Sequence, residues 1–423
     1  GVKNQLSTDN AWIALSAIVR NDDGIQTLNS ADALKNYQAW EKRSIPHGAS
    51  VIDPETLGRF ITRAVLVGGP GMGKSTLLKR VARRYSEDRI PVLHVQLRTL
   101  AARMKAGSTF EEALFELGLD GSDVTSLAAR HASFPNWLLL CDGLDECGKL
   151  QESVAAGVAS FVAGHPGCRI LVTTRPVGYE TAHFHDWRHY DLVPLETSEA
   201  RKHLATLVRE CAPPDSPLQT TASVVCASEL EHGNLSKVVA RSPRLLGLAA
   251  SIIVRAGHLG KSKARLFEQI FELIDAIPNS RTPEPPFSKP TLQRFLDAMG
   301  WNITEQPLRN VKETLTLCAD VFVQEMGSTK LQSQGIAETC LNYWVTVGMI
   351  ERIGNGLDDF LVFIHKSFGE FAAARHLRHM SEEAQSASIK GVANSPEWVE
   401  VVRFAGLLGL ANVVAQVWLV TLV

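Results

Sequence analysis

Residues 63–78 read RAVLVGGPGMGKSTLL, and their character changes twice along the stretch. A short apolar run, typical of a buried strand, is followed by a glycine-rich turn and then by a helical pattern. Gly68-x-x-x-x-Gly73-Lys74-Ser75 has the spacing of a phosphate-binding loop at every defined position. Glycines let backbone N–H groups converge on a phosphate, and the following helix adds its positive N-terminal end. A chance glycine-rich turn is the disfavoured alternative, because the motif requires a strand before it and a helix after it.

The loop supplies candidate phosphate and metal ligands. The Lys74 ammonium suits the β- and γ-phosphates of a nucleotide, the Ser75 hydroxyl is a Mg²⁺ ligand, and Thr76 adds a hydroxyl near the α-phosphate. The predicted cofactor-binding residues of the loop are Gly68, Gly71, Gly73, Lys74, Ser75 and Thr76.

A second candidate stretch, NWLLLCDGLDE at residues 136–146, brings carboxylates to the end of an apolar run. An ionised Asp142 at the end of a buried strand is costly unless it pairs with a cation, and Mg²⁺ shared with Ser75 would supply that cation. Asp145 and Glu146 follow one short turn later and are candidates to position or deprotonate the attacking water. The alternative, an acidic turn that caps a helix, is disfavoured by the phosphate-binding loop upstream.

Length, net charge and cysteine pattern limit the number of domains, the main partner and the cellular compartment that the sequence predicts. At 423 residues, the chain is long enough for two to four domains, and its net charge of −2 gives no electrostatic case for nucleic acid or acidic lipid as the main partner. Seven cysteines without a C-x-x-C pair indicate reduced thiols in a cytoplasmic protein. The cluster His183, His185, Asp186 and His189 resembles a zinc site, but a solvated loop is the favoured interpretation because no matching ligands occur at zinc-site spacing.

The fold class follows from apolar strands that alternate with helical patterns between residues 64 and 195. This order predicts an α/β fold, a parallel sheet covered by helices on both faces, with the ligand beyond the carboxyl ends of the strands. Helical patterns follow, and a proline-rich linker at 278–290 indicates a domain boundary. Further helices and two short strands around Gly354-Asn355-Gly356 predict a winged-helix module.

The strings GGPGMGKST, LLLCDGLDE and ILVTTRP (170–176) together resemble the NACHT ATPases, a branch of the STAND class of nucleotide switches. The resemblance continues through RSPRLL (241–246) to FIHKSFGEFAAARHL (363–377). It implies ATP or ADP with Mg²⁺ as cofactors, Arg175 as a γ-phosphate sensor, Pro243 against the adenine, and His365 on the β-phosphate of ADP. The residues alone leave other roles open: a surface arginine, a first-turn proline, and a packed core histidine.

The domain boundaries follow from these patterns. We expect an N-terminal segment (1–60), a P-loop nucleotide-binding domain (61–196), a helical domain (197–280), a winged-helix domain (286–380) and the start of a C-terminal helical region (381–423).

The implied activity is slow, regulatory ATP hydrolysis with catalytic residues Asp145, Glu146 and Arg175. The resemblance implies an ADP-bound closed monomer and an ATP-bound oligomer in immune or antiviral signalling, with effector and sensor regions outside this chain. Two alternatives stay open: a nucleotide-binding scaffold without turnover, and a conventional P-loop ATPase or phosphotransferase. Neither a nucleic-acid track nor an acceptor site is evident.

Residues 404–423 carry no charge and are long enough to span a bilayer. Asn412, Gln416 and two glycines interrupt the apolar run, so a buried packing helix is favoured over a membrane anchor.

Overall fold

The computed structural model describes the chain in segments: residues 12–19, 51–60, 62–69, 71–118, 137–176, 182–231, 235–276, 284–353, 359–392 and 395–421. The sequence also predicts a short helix at Ser30–Arg43, which lies outside these residues. The predicted turn at Gly354-Asn355-Gly356 and most of the proline-rich linker lie outside them as well.

A seven-stranded mixed sheet forms the first part of the molecule. Its strands are β1 (Ser16–Val19), β2 (Val51–Ile52), β3 (Arg63–Val67), β4 (Val92–Gln96), β5 (Trp137–Asp142), β6 (Cys168–Thr174) and β7 (Arg188–Val193). Their spatial order is β2-β1-β7-β3-β6-β5-β4. The predicted parallel pairing is confirmed for β3 to β7, while β1 pairs antiparallel with both β7 and β2, so the prediction of a wholly parallel sheet was wrong at this edge.

Helices cover both faces of the sheet. They are α1 (Leu57–Phe60), α2 (Lys74–Glu87), α3 (Leu97–Lys105), α4 (Phe110–Gly118) and α5 (Gln151–Gly164). Successive residues of β3 point to opposite faces: Ala64 and Leu66 join one buried core, and Val65 and Val67 join the other. A strand buried on both faces is apolar throughout, which explains why β3 reads as a continuous apolar run. Helix α3 follows β4 directly and was not predicted.

The helical unit, residues 197–276, packs against the sheet through the first core. It contains α6 (Thr197–Cys211), α7 (Leu218–Glu231), α8 (Leu235–Val239), α9 (Pro243–Ala256) and α10 (Lys263–Ala276). A helical pattern over residues 234–256 predicts one helix there, but the structure has two, because the first helix ends before Pro243 and a second begins at that proline. Ser242 is extended and its hydroxyl accepts the N–H of Leu245 at 3.3 Å, which is the geometry of an N-cap followed by proline at the first helical position.

The C-terminal unit, residues 289–377, contains three helices, a hairpin and a fourth helix. These are α11 (Lys289–Glu305), α12 (Val311–Met326), α13 (Lys330–Val347), β8 (Ile350–Ile353), β9 (Phe360–Phe363) and α14 (Lys366–Leu377). Strands β8 and β9 pair antiparallel, with Glu351 opposite Val362. The predicted hairpin is therefore present, whereas the winged-helix assignment and the domain boundaries stay predictions.

Beyond this unit lie α15 (Glu382–Val392), α16 (Val399–Ala405), a turn of wider helix at Gly406–Leu410, and α17 (Ala411–Thr421). Gly409 has a φ of 107°, which kinks the path at one of the two predicted interruptions. Among the described residues, Val399–Val417 passes a test of length and apolar character for a membrane span, and 28% of its most apolar window is buried.

Helices α11 and α14 cross in close contact at Gly300. A Cβ at this position would lie 2.6 Å from the Cβ of Ala372 and 2.7 Å from the backbone N of Ala373. By contrast, nothing would lie within 4 Å of a Cβ at Gly335, a glycine inside α13.

This contrast gives a matched pair of variants. Gly300→Ala should lower the free energy of unfolding by about 1–3 kcal/mol through overpacking. Gly335→Ala should raise it by roughly 0.5–1 kcal/mol, because alanine favours the helix without meeting a neighbour. Denaturation midpoints of both variants and the parent chain check the pair; equal effects at the two positions would contradict the packing described here.

Candidate functional site

The carboxyl ends of β3, β5 and β6 meet at one edge of the sheet and bring the candidate residues together. β3 lies directly beside β6, and the N–H of Gly68 donates to the carbonyl of Thr174 at 3.1 Å. After β3 the chain turns through Gly71 and Gly73, whose φ values are 68° and 81°, and enters α2 at Lys74. Positive φ values explain the glycines at these two positions. The turn leaves Ser75 and Thr76 exposed in the first turn of α2.

The Lys74 ammonium folds back over the loop that precedes it. Its Nζ donates to the carbonyls of Gly68 and Gly69, at 2.6 and 3.2 Å. Burial lowers the pKa of Lys74, while the nearby Asp145, Glu351 and Asp142 raise it. The Lys74 side chain therefore lies near three carboxylates, at the place where the motif predicts phosphate binding.

Asp142 ends β5 and is held by the neighbouring strand. The Thr173 hydroxyl donates to Asp142 Oδ1 at 2.7 Å and accepts the N–H of Gly143 at 3.0 Å. The Asp142 residue is only 9% exposed. Thr173 therefore fixes both the carboxylate and the start of the acidic turn after it.

This arrangement fits Mg²⁺. Thr173 donates to Oδ1 of Asp142, and a carboxylate can offer its second oxygen to a metal ion. Mg²⁺ is usually held by one or two carboxylate or hydroxyl ligands together with phosphate oxygens and water. Asp142 and Ser75 would hold the ion, which would neutralise charge on the bound phosphates. In the part of the chain that the structure describes, no group of three His, Cys, Asp or Glu side chains converges on a metal position.

Arg175 and the acidic turn are joined by an ion pair. The Arg175 Nε lies 2.8 Å from Asp145 Oδ2, and both side chains are largely buried. The Arg175 Nη1 lies 3.1 Å from Oε2 of Glu351, on strand β8 of the C-terminal unit. Arg175, predicted as a phosphate sensor, thus connects the sheet to the C-terminal unit.

The environment of Glu146 differs from that of Asp145. Its carboxylate is 43% exposed and lies 3.7 Å from Arg98 Nη1. Burial, followed by the charge of Asp145, raises the pKa of Glu146. A carboxylate with a raised pKa and access to solvent has the character of a general base. Asp145 has its charge committed to Arg175, so Glu146 is the better candidate of the two.

The helical unit meets the phosphate-binding loop through Pro243 and Arg244. A Cβ at Gly73 would lie 3.9 Å from Pro243 Cγ and 3.7 Å from Leu15 Cδ1, so an apolar pair flanks the end of the loop. The N–H of Arg244 donates to the carbonyl of Gly71 at 3.3 Å, and its guanidinium donates to the carbonyl of Val347. Arg244 therefore joins the loop to the C-terminal unit.

His365 begins α14 as its N-cap, with Nδ1 accepting the N–H of Ser367 at 3.1 Å. Burial, and then the charges of Lys263 and Arg241, lower the pKa of His365 to about 3. The imidazole is consequently neutral at physiological pH. Because Nδ1 accepts, the proton lies on Nε2, which is a hydrogen-bond donor. Its role on the β-phosphate stays a prediction.

The histidines just before β7 and at its start have local partners. His183 Nε2 lies 3.2 Å from Glu152 Oε1, and His189 Nε2 lies 3.1 Å from the carbonyl of Phe184. Asp186 lies 3.9 Å from Arg63 Nη1. All seven cysteines are buried and free of disulfides.

Three residues of the site were missed from the sequence: Leu15, Arg244 and Glu351. Leu15 and Arg244 carry no local signal beyond their neighbours. For Glu351 a signal was present, because it is an acidic side chain opposite the wholly apolar strand FLVF. A buried carboxylate needs a cation, and the strand therefore implied a partner elsewhere.

Thr173 and Thr174 allow a test of the bond to Asp142. Thr173→Val should cost about 1–3 kcal/mol of stability, since it leaves the buried N–H of Gly143 without its acceptor. Thr174→Val should be close to neutral, because the buried Thr174 hydroxyl has no hydrogen-bond partner among the described residues. Chemical denaturation of the nucleotide-free protein measures both; a loss of similar size in each variant would refute the assigned role of Thr173.

Comparison with known proteins gives a family for the first part of the chain. Residues 62–251 match the model of the NACHT domain. No curated protein matches the chain.

Several solved structures align with the chain at low identity. The Aeropyrum pernix ORC1 protein in complex with DNA shares 13% identity over 85% of this chain and 97% of that chain, with a TM-score of 0.34. A DNA replication initiation factor shares 12% over 75% and 96%, with a TM-score of 0.35. The A. pernix ORC2 protein in its ADPNP–ADP complexes shares 10% over 84% and 98%, with a TM-score of 0.30. Likeness at these TM-scores carries no argument about function.

The family match spans strands β3 to β7, the phosphate-binding loop, the acidic turn and the helical unit as far as α9. It includes Lys74, Asp142 and Arg175, which the fold gathers at one edge of the sheet. Residues 62–251 are therefore a NACHT domain, which is a nucleotide-binding P-loop NTPase domain.

Proposed function

We propose that this NTPase is a cytoplasmic ATP-hydrolysing switch. In the proposed cycle, ADP holds a closed monomer through Pro243 and His365. Exchange for ATP and Mg²⁺ engages Lys74, Ser75, Asp142 and Arg175 instead, and the open form self-associates. A role in immune or antiviral defence signalling rests on the family resemblance alone.

The observation that carries the proposal is that Arg244 of the helical unit bridges the phosphate-binding loop and the C-terminal unit. Arg244 of the helical unit donates its backbone N–H to Gly71 and its guanidinium to Val347 of the C-terminal unit. A Cβ at Gly71 would lie 3.0 Å from Arg244 Cβ, so the loop has no spare room there. A change in the loop on nucleotide exchange would therefore be felt by both units.

A switch of this kind requires a minimum difference in nucleotide-binding free energy between its two states. Moving a two-state equilibrium from 1:99 to 99:1 requires about 5.5 kcal/mol of differential affinity. One hydrogen bond to a charged group supplies about 1.5–3 kcal/mol. A single contact from His365 to a phosphate would therefore bias the equilibrium without inverting it, and several nucleotide-dependent contacts are needed.

Hydrolysis is assigned to Glu146 as the base that takes a proton from the attacking water. The water oxygen attacks the γ-phosphorus, the bond to the β,γ-bridging oxygen breaks, and ADP and phosphate leave. Lys74 and Arg175 supply positive charge toward the transferring group. Asp145 positions Arg175 through their 2.8 Å ion pair.

Glu146→Gln tests this assignment. The variant should bind ATP normally and hydrolyse it about 10²–10⁴-fold more slowly, as expected for loss of a general base. A general base must be deprotonated to act, and the pKa of Glu146 is raised. As the pH is lowered, wild-type turnover should therefore begin to fall at a pH above 4.5, the ordinary pKa of a glutamate. This acidic decline in the pH profile should be absent from the variant. Steady-state phosphate release against pH measures both effects.

Glu152→Gln, which changes the carboxylate beside His183, is the matched control and should leave turnover unchanged. Normal turnover in Glu146→Gln would move the base to Asp145 or deny a base altogether. Absence of turnover in the wild-type protein, with retained ADP, would instead favour the nucleotide-binding scaffold.

His365→Ala tests the contact with ADP. Loss of a hydrogen bond to phosphate should raise the dissociation rate of fluorescent ADP about tenfold or more and increase self-association in sedimentation. Alanine also removes the N-cap of α14, which itself costs about 0.5–2 kcal/mol. His365→Asn separates the two effects, since asparagine keeps the cap and removes the imidazole Nε2–H.

The expected result is fast ADP dissociation in both variants and a loss of stability in the alanine variant only. Wild-type dissociation rates in both variants, together with unchanged sedimentation, would remove His365 from the switch.

A further inference from the structure

Glu351 is a buried carboxylate of the C-terminal unit that contacts Arg175 of the candidate nucleotide site. It lies on β8, its side chain is 7% exposed, and its Oε2 is 3.1 Å from Arg175 Nη1. The same guanidinium holds Asp145 through its Nε. Arg175 therefore divides its charge between an acid of its own domain and an acid of another unit.

The surroundings of Glu351 are cationic on more than one side. Lys74 and Glu351 act on each other electrostatically. Burial lowers the pKa of Arg244, and the charge of Glu351 opposes that shift. Burial raises the pKa of Glu351, and Arg175 and Lys74 oppose that rise. Glu351 thus faces the lysine of the phosphate-binding loop and the arginine at the end of β6.

The backbone before β8 holds Glu351 in this position. Gly348 has a φ of 73°, and a Cβ there would lie 2.4 Å from Arg244 Nη1. The Arg244 guanidinium donates to the carbonyl of Val347, one residue earlier. Glycine at 348 therefore permits the approach of Arg244, which anchors the chain at Val347, four residues before Glu351.

We propose that Glu351 makes the closed form of this protein selective for a nucleoside diphosphate over a nucleoside triphosphate. Its carboxylate neutralises Arg175 and faces Lys74, the two cations that a γ-phosphate needs. A diphosphate ends before this position and leaves the Glu351–Arg175 pair intact. A triphosphate brings a second anion to the same cations, and like charges at one site are strongly unfavourable.

This inference rests on the proposed function and adds a residue to its regulation. It also states how the switch opens: binding of a triphosphate releases Glu351 from Arg175, and strand β8 moves together with Glu351. A purely structural ion pair would behave differently, because its loss would weaken diphosphate and triphosphate binding to the same extent.

The test compares Glu351→Gln with the wild-type protein. Glutamine keeps the size of the side chain and removes its charge. With Mg²⁺ present, affinities for ADP and for a non-hydrolysable ATP analogue are measured by calorimetry. The expected result is that the ratio of analogue affinity to ADP affinity rises about tenfold or more, a change of 1.4 kcal/mol or above.

Asp297→Asn is the matched control, since Asp297 is equally buried and pairs with an arginine, Arg375, at 3.2 Å within the C-terminal unit. Its affinity ratio should equal that of the wild type. Glu351→Asp retains the charge on a shorter side chain, and its ratio should lie between those of the wild type and Glu351→Gln. This second variant preserves the test where glutamine prevents folding.

The outcomes separate the inference from the proposed function. If the wild-type protein binds both nucleotides and the ratio is unchanged in Glu351→Gln and Glu351→Asp, the inference is overturned and the proposed function stands. The same holds if the two affinities change equally. If the wild-type protein binds neither nucleotide, the proposed function and the inference fail together.

Discussion

The arrangement of units depends on one guanidinium shared between two carboxylates. Arg175 lies at the end of β6, with Asp145 on one side and Glu351 on the other. All three side chains are largely withdrawn from water, so each needs the others to offset the cost of burial. Removing one member of a buried pair leaves an uncompensated charge, which costs about 3–5 kcal/mol. The same three charges therefore determine both the docking of the C-terminal unit and the net charge of the nucleotide site.

Local chemistry explains which parts of the fold and site were predictable. Glycines with positive φ at 71 and 73, the apolar strand before them, and the helix at Lys74 follow from neighbouring residues only. Asp142 ends β5 for the same reason, since an apolar run that stops at an acid marks the end of a buried strand. Helix starts with N-caps such as Ser242 were likewise within reach of sequence reasoning.

Long-range pairing explains the misses. Strand β1 pairs antiparallel with β7 across more than a hundred and fifty residues of chain, and its four residues carry no signal of direction. Glu351 also carries no local signal of its partner, because it meets Arg175 only where the C-terminal unit packs on the sheet. Sequence patterns indicate that a residue is buried, but they do not show which distant residue satisfies it. Two of the three missed residues, Arg244 and Glu351, are accordingly supplied by other units.

Two kinds of contact join the units at the loop, and they differ in their sensitivity to nucleotide. Arg244 engages carbonyl groups of Gly71 and Val347, and these acceptors keep the same charge in every nucleotide state. The Glu351–Arg175 pair is a contact between full charges, and any further anion at the site competes for its cation. The carbonyl contacts therefore define where the C-terminal unit docks. The charge pair makes the stability of that docking depend on the number of phosphates bound, which is the property that a nucleotide switch requires.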